Sequence, residues 1–210
     1  MRRGAIALGV LGVLALLGAR ANGEPMPASL QAMSFSAEKI AEEADAGRPA
    51  EVARHLAEVR KALEDLKGQF ASERLAPIAD EVRRIDKALG VPSLYDAAVR
   101  ADAMSNAISA LTEPYIGDYH AGVLRLGVFL RSAGRETKRK SAATALISLT
   151  SADGVWKTMQ STAAEKRPKE AETMRKSLEA VRKHLGEASL LSARRALHEA
   201  IEVLARLSSL

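Results

Sequence analysis

Residues 49–89 read PAEVARHLAEVRKALEDLKGQFASERLAPIADEVRRIDKAL, and this stretch decides the fold class. Its apolar side chains recur at alternating steps of three and four residues, which is the spacing of helices packed side by side. The phase of the steps changes near Gly68 and Pro77, so we expect a kink or a short turn between two antiparallel helices. The apolar steps run through Val52, Leu56, Val59, Leu63 and Leu66, then through Leu75, Ile78, Val82, Ile85 and Leu89.

Helix start and stop signals continue on both sides of this stretch. Pro49 and Pro168 suit the first turn of a helix. Backbone N–H groups there have no hydrogen-bond partner within the helix, so the absence of an N–H in proline costs nothing. Ser93 followed by Asp96 resembles a capping box, which predicts a helix through about Thr112. A second antiparallel hairpin is expected over 168–208, and no strand-like alternation occurs.

The expected fold is therefore all-α. Residues 22–210 are predicted to form a single-domain antiparallel helical bundle of about seven to nine helices with coiled-coil-like seams. Residues 48–68 and 167–186 both begin Arg-Pro-x-Glu, but their apolar positions coincide only in part. The sequence therefore gives no reason to expect an internal repeat.

The amino terminus resembles an export signal. Arg2 and Arg3 precede an uncharged apolar run from Ala5 to Leu17, and Ala19-Arg20-Ala21 matches the small-x-small pattern of a cleavage site. A membrane-spanning helix needs roughly 20 apolar residues, so we predict that residues 1–21 are a cleaved signal peptide. The mature protein is expected in the bacterial periplasm or outside the cell, with no membrane span. The alternative is an uncleaved anchor.

Composition excludes several kinds of site. The chain has no cysteine, which rules out disulfides, cysteine-ligated zinc, c-type haem and a thiol nucleophile. Residues 22–210 carry 28 basic and 26 acidic side chains, too small an excess to indicate nucleic-acid binding. Aromatic residues make up 3% of the chain, so sugar and nucleobase sites built on aromatic platforms are not expected. Trp156 is expected to fill the core beside Met159.

Charge divides the chain unevenly. Residues 22–118 carry 11 basic and 17 acidic side chains, whereas residues 119–210 carry 17 basic and 9 acidic ones. Such a distribution can guide the two halves together, direct head-to-tail dimerisation or offer a basic face to a partner. It is also compatible with ordinary solvated helix faces.

Residues 113–122, EPYIGDYHAG, interrupt the helical pattern and concentrate polar and aromatic side chains. We expect a connection between helices here, whose tyrosines either cover the end of the core or contribute to a binding site. A dense basic cluster follows, which predicts a solvated turn or a site for an anionic ligand, an anionic lipid head group or an acidic partner. The ligand-binding candidates are Tyr115, Asp118, Tyr119, His120, Arg125, Arg131 and Arg135.

Metal and haem sites have little support in the sequence. His55 with Glu58, and His198 with Glu202, have helical spacing for a shared face, but neither pair matches a di-iron or zincin motif. These histidines are expected at the surface. Met33 and His198 could face each other as haem ligands only if the bundle brought its two ends together. We therefore assign no metal, no cofactor and no catalytic residue.

The sequence favours a non-enzymatic exported bundle that acts through protein–protein contact, as an adaptor, as a structural component or as a homodimer. The alternative is a bundle that binds a small anionic ligand or a metal through the 113–122 segment and the basic cluster. The sequence contains no Gly-x-Ser-x-Gly elbow that would anchor a Ser–His–Asp triad. It also contains no phosphate-binding loop and no dinucleotide-binding glycine motif.

Overall fold

The computed structural model describes residues 25–208, and the predicted signal peptide lies outside them. These residues form seven packed α-helices and no strand, which confirms the expected all-α bundle. Pro49 and Pro168 occupy first-turn positions, as predicted. The helices are α1 (Ala28–Asp45), α2 (Pro49–Leu66), α3 (Ser72–Ala88), α4 (Tyr95–Lys138), α5 (Ala142–Lys166), α6 (Pro168–Gly186) and α7 (Leu190–Leu207).

The long helix α4 reverses direction at Gly117. This residue has φ 75° and ψ 164°, a backbone conformation that is essentially restricted to glycine. In a straight helix Tyr95 and Glu136 would lie about 60 Å apart, yet the Tyr95 hydroxyl donates a 2.5 Å hydrogen bond to the Glu136 carboxylate. Residues 95–116 and 118–138 are therefore two antiparallel arms, called here the first and second arm of α4.

Two core clusters divide the bundle into two four-helix units. The first unit consists of α1, α2, α3 and the first arm, around a core that extends from Leu30 to Leu111. The second unit consists of the second arm, α5, α6 and α7, around a core from Val123 to Leu207. A small cluster of Ile116, Ala121 and Leu124 joins the two at the reversal.

The second unit repeats the first. Buried positions of α1 and α2 recur 93 residues later in the second arm and α5, for example at 52 and 145. Buried positions of α3 and the first arm recur 96 residues later in α6 and α7, for example at 78 and 174. The comparison of residues 48–68 with residues 167–186 missed this repeat, because it set α2 against α6, whereas the counterpart of α2 is α5. Matching buried pairs are Leu30–Val123, Met33–Leu126, Ala37–Leu130, Val52–Ala145, Leu56–Leu149, Val59–Ala152, Leu63–Trp156, Leu66–Met159, Leu75–Ala171, Ile78–Met174, Val82–Leu178, Ile85–Val181, Ala97–Ala193, Ala101–Leu197, Met104–Ala200, Ile108–Leu204 and Leu111–Leu207.

Two local predictions need correction. The Ser93–Asp96 capping box does not form: α4 begins at Tyr95, and its amide donates to the Ser93 hydroxyl at 3.4 Å. The 113–122 segment does connect two helices, as expected, but it is not a loop, because helix continues to residue 116 and resumes at residue 118. The single glycine accounts for the whole change of direction.

Candidate functional site

A cleft of about 540 Å³ opens beside the reversal of α4. One wall combines the end of the first arm with the start of the second, and the opposite wall is α5. Carboxylate, guanidinium and hydroxyl groups share this lining with the apolar surfaces of Val155 and Met159. The cleft is lined by Glu113, Asp118, Tyr119, Gly122, Arg125, Gly154, Val155, Thr158, Met159 and Thr162.

Local sequence explains why the chain reverses here. Pro114 has no N–H, so the carbonyl of Ala110 loses its helical partner and accepts a hydrogen bond from Arg74 at 3.5 Å. At the break, Nδ1 of His120 donates to the carbonyl of Ile116 at 3.1 Å and closes the end of the first arm. Burial lowers the pKa of His120, and the nearby Lys166 acts in the same direction. The hydrogen bond to Ile116 opposes this shift, but the pKa of His120 remains below its usual value, which favours the neutral imidazole at this cap.

Arg125 fastens the two arms together next to the cleft. Its Nε donates to the Ser109 hydroxyl at 3.1 Å, and its guanidinium pairs with the Glu113 carboxylate. Asp118, in contrast, is exposed and forms no ion pair with any residue from 25 to 208. The cleft thus contains one internally compensated ion pair and one carboxylate that is open to a ligand.

Tyr119 anchors the cleft to the end of the bundle. Its hydroxyl donates to the carbonyl of Leu207 at 3.3 Å, its ring meets His120 edge-on, and Lys166 Nζ lies 5.7 Å from the ring centroid. Burial raises the pKa of Tyr119 to about 12, although Arg167 opposes the shift. The phenol is accordingly neutral at physiological pH and acts as a hydrogen-bond donor.

Gly154 leaves its position in the α5 wall of the cleft without a side chain. It lies in the middle of α5, where glycine costs roughly 0.5–1 kcal/mol relative to alanine, and a Cβ atom there would meet nothing within 4 Å. The corresponding residue of the first unit, 93 positions earlier, is Lys61. The second unit therefore lacks a long side chain at the position where the first unit has one.

The seven candidate residues do not converge on one site. Asp118, Tyr119 and Arg125 line the cleft, and His120 lies behind Tyr119. Tyr115 is instead packed against the first core. Arg131 and Arg135 lie towards the opposite end of the second arm, in a network between the two units.

Arg135 is the centre of that network. It is 5% exposed, and it pairs with Asp45 at 2.7 Å and with Asp102 at 2.8 Å. Burial opposes the charge of Arg135, but hydrogen bonds to Asp45 and Asp102 leave its pKa raised. Both carboxylates belong to the acidic half of the chain, so this part of the charge asymmetry joins the two units. The expectation of a solvated turn is therefore wrong for Arg135, which is buried. Residues 138–140 of the same basic cluster are exposed.

Glu38 and Arg131 form the second part of the network. Burial raises the pKa of Glu38, and the positive charge of Arg131 only partly offsets that effect. Burial also raises the pKa of Asp102 despite its pairing with Arg135. Nε and Nη2 of Arg131, and Oδ1 of Asp102, are buried without a hydrogen-bond partner among residues 25–208. This region therefore holds a high density of buried charge.

The predicted surface position of His55 is wrong, and that of His198 is correct. His55 is 4% exposed because it lies between α1 and α2, where Glu58 contacts its Nδ1 at 2.9 Å. His198 has a side chain that is 61% exposed, whereas Met33 is buried in the other unit. These two residues therefore do not face each other as haem ligands would.

The part of the chain that the structure describes contains no group of three or more His, Asp or Glu side chains arranged to hold a metal ion. Within residues 25–208, no helix combines the length and apolarity required to cross a bilayer.

Sequence reasoning missed the α5 wall of the cleft. Thr158, Met159 and Thr162 recur at helical spacing, but nothing in their sequence indicates that they face residues 113–125. A glycine in the middle of an otherwise helical stretch, Gly154, is the signal that could have directed attention to this wall.

Comparisons with models of known families, with characterised proteins and with solved structures find no match for this chain.

Proposed function

We propose that this protein is an exported, non-enzymatic bundle that binds a small zwitterionic molecule, such as an amino acid, in the cleft beside the reversal of α4. The observation that carries the proposal is the cleft lining, which combines the unpaired carboxylate of Asp118 with the guanidinium of Arg125. An ammonium group pairs with Asp118, a carboxylate accepts from Arg125, and the carbon skeleton rests on Met159 and Val155.

A purely anionic ligand has less support. Arg135 already holds two carboxylates, and Arg125 already holds Glu113. An additional anion would have to displace one of these internal partners. A zwitterion adds no net charge to the cleft, because its ammonium group pairs with Asp118 while its carboxylate competes with Glu113 for Arg125.

The test is isothermal titration of the purified protein with each of the 20 common amino acids and glycine betaine. We expect saturable binding of at least one of them. Gly154→Leu places a side chain at the cleft where a Cβ atom meets nothing within 4 Å, and it should abolish that binding. Asp118→Asn should weaken binding at least tenfold.

The matched control is Ala164→Leu, an exposed position on α5 that does not line the cleft. Its binding should equal that of the unchanged protein. Absence of heat with every probe, or equal binding by Gly154→Leu, would rule out this ligand class in the cleft.

Export is a separate part of the proposal and is supported by the signal-like segment at residues 1–21. Its test is the intact mass of the protein recovered from a periplasmic fraction. The mass of residues 22–210 is expected, and the mass of the full chain would indicate a retained anchor instead.

A further inference from the structure

One end of the bundle combines uncompensated positive charge with exposed apolar side chains. The helices alternate in direction, so α1, α3, the second arm and α6 end where α2, the first arm, α5 and α7 begin. Four turns therefore lie together at the end opposite Gly117, and we call this surface the far end. The turns comprise residues 46–48, 89–94, 139–141 and 187–189.

Contacts between the turns hold the far end together as one surface. Arg139 stacks on Tyr95 with its guanidinium carbon 3.7 Å from the ring centroid, which joins the α4–α5 turn to the start of the first arm. Arg194 donates to the carbonyl of Thr137 at 2.6 Å, which joins the same turn to the start of α7. The ion pairs of Arg135 add a link to the end of α1. Both units therefore contribute to this surface.

Acidic side chains at the far end are mostly compensated by the protein itself. The acids that form ion pairs with a lysine or an arginine are Glu42, Glu43, Asp45, Glu51 and Asp86. Glu136 is buried and accepts a hydrogen bond from Tyr95. Asp96 has no ionic partner among residues 25–208, and Glu187 approaches His184 Nδ1 at 3.6 Å. Little negative charge is therefore available to an external partner here.

Basic side chains at the far end, in contrast, are mostly free. Several exposed ones form no ion pair and no side-chain hydrogen bond with any residue from 25 to 208. They are Lys87, Lys138, Lys140, Lys183 and Arg195. These cations outnumber the acids that lack a strong partner, so the far end carries an excess of uncompensated positive charge.

Large apolar side chains are exposed at the same end. Val91, in the α3–α4 turn, is 47% exposed, and Leu191, in the first turn of α7, is 63% exposed. Ile147, in the second turn of α5, is 68% exposed. Leu191 lies 96 residues after Tyr95, whose ring is covered by Arg139 instead. Of the large apolar side chains exposed among residues 25–208, all but Phe35 thus lie at or near the far end.

We propose that the far end docks on a membrane surface rich in anionic phospholipids, with Val91 and Leu191 inserted among the head groups. The negative potential of such a surface attracts lysine and arginine side chains. Inserted apolar side chains add a second attraction, and stable peripheral binding requires two such signals.

The chemistry of the free cations favours a lipid surface over an acidic protein. All of them except Arg195 are lysines. A lysine ammonium is a mobile, strongly hydrated point charge, whereas recognition of individual carboxylates favours the planar fork of arginine. Lysines distributed over several turns suit the diffuse negative potential of a membrane.

The test is co-sedimentation of the purified protein with vesicles of phosphatidylcholine, either alone or with about one third phosphatidylglycerol. We expect the anionic vesicles to bind about tenfold or more tightly than the neutral ones. Salt at about 0.5 M should abolish this preference, because it screens the charges.

The double substitution Lys138→Gln and Lys140→Gln should weaken binding to the anionic vesicles about tenfold. Both residues are exposed, so folding should be retained. The matched control is Lys61→Gln with Lys157→Gln, which removes the same charge from exposed positions towards the opposite ends of α2 and α5. This control should change vesicle binding much less.

A fluorescent label at residue 191 tests the apolar part of the proposal. Because the chain has no cysteine, Leu191→Cys provides a unique site for acrylodan, whose emission shifts to the blue in apolar surroundings. We expect a blue shift when anionic vesicles are added. The same label at Glu165→Cys, an exposed position at the end of the bundle near Gly117, should show no shift.

Absence of binding to the anionic vesicles, equal effects of the two lysine pairs, or equal shifts of the two labels would overturn the proposal. Analytical ultracentrifugation tests a different occupant. A concentration-dependent dimer that Lys138→Gln with Lys140→Gln dissociates, without vesicle binding, would assign the far end to a second copy of this chain and would also overturn it. Gly154→Leu should leave vesicle binding unchanged, so this test is independent of the ligand proposed for the cleft.

Discussion

Gly47 and Lys140 adopt the same left-handed backbone conformation, with φ angles of 71° and 62°, at the carboxyl ends of α1 and α4. In each turn the next residue donates its amide to a glutamate carbonyl five positions earlier, at 2.9 Å from Arg48 and 3.0 Å from Ser141. This is the Schellman arrangement, in which glycine is the favoured residue. The two units thus end their first helices identically, but only one of them uses glycine.

Lys140→Gly should therefore stabilise the protein. A residue with a Cβ loses roughly 1–2 kcal/mol in the left-handed region, and the greater freedom of glycine in the unfolded chain offsets part of the gain. We expect an increase of about 0.5–1 kcal/mol in the free energy of unfolding, measured by urea denaturation. The reciprocal Gly47→Lys should lose a similar amount, since a Cβ there meets nothing within 4 Å and only backbone strain changes. Equal stability of both variants and the parent would contradict this assignment.

Helix positions and their buried faces could be predicted from the sequence. The seam from Val52 to Ile85 is buried as its spacing indicates, because a three–four repeat has only one way to face a core. Trp156 and Met159 also lie together in the core, as expected. These features are local, so one sequence contains enough information to place them.

The sequence indicated a connection at residues 113–122 but not its geometry, because a single glycine separates two good helices. Helical spacing is identical in a straight rod and in two antiparallel arms, and the difference lies in the backbone angles of Gly117 alone. The uneven charge distribution indicated that the two halves could attract each other, but the specific pairing of Arg135 with Asp102 depends on this reversal and could not be predicted. The repeat was hidden because few identities accompany the matching burial, and because the offset changes from 93 to 96 residues between α5 and α6.

Glu38→Gln should raise thermal stability near pH 7 and should have little effect near pH 4. Burial raises the pKa of Glu38 in the folded state, although Arg131 and Lys39 lower it while Glu42 and Asp102 add to the rise. The folded protein therefore holds this proton more tightly than the unfolded chain does. The resulting stability is fully present below the unfolded pKa, about 4.3, and is lost as the pH rises through the folded pKa.

The measurement is the melting temperature of both proteins at matched pH values between 4 and 8. Glu64→Gln is the control, because its exposed side chain forms only a surface ion pair with Lys67. A gain from Glu38→Gln that does not change with pH would show that the buried charge of Glu38 is not the cause.

Arg135→Met should cost about 3 kcal/mol or more, because it leaves the buried carboxylate of Asp102 without its partner. Arg175→Met is a matched comparison, since Arg175 also holds two carboxylates, Glu172 and Glu179, but lies at the surface. That loss should be much smaller, because solvent screens the exposed ion pairs. Urea denaturation of the two variants decides the matter, and equal losses would mean that burial does not strengthen the dependence on Arg135.

Gly117→Ala should destabilise the protein by about 1–3 kcal/mol, because its backbone conformation is essentially closed to other residues. Gly134→Ala, in the second arm with open space around its Cβ, should instead stabilise it by roughly 0.5–1 kcal/mol. Spin labels on the exposed residues Asp96 and Lys138 provide a direct check of the reversal by pulsed electron paramagnetic resonance. A straight helix would separate them by about 60 Å, whereas two antiparallel arms require less than half that distance. A long distance, together with a harmless Gly117→Ala, would mean that α4 is continuous.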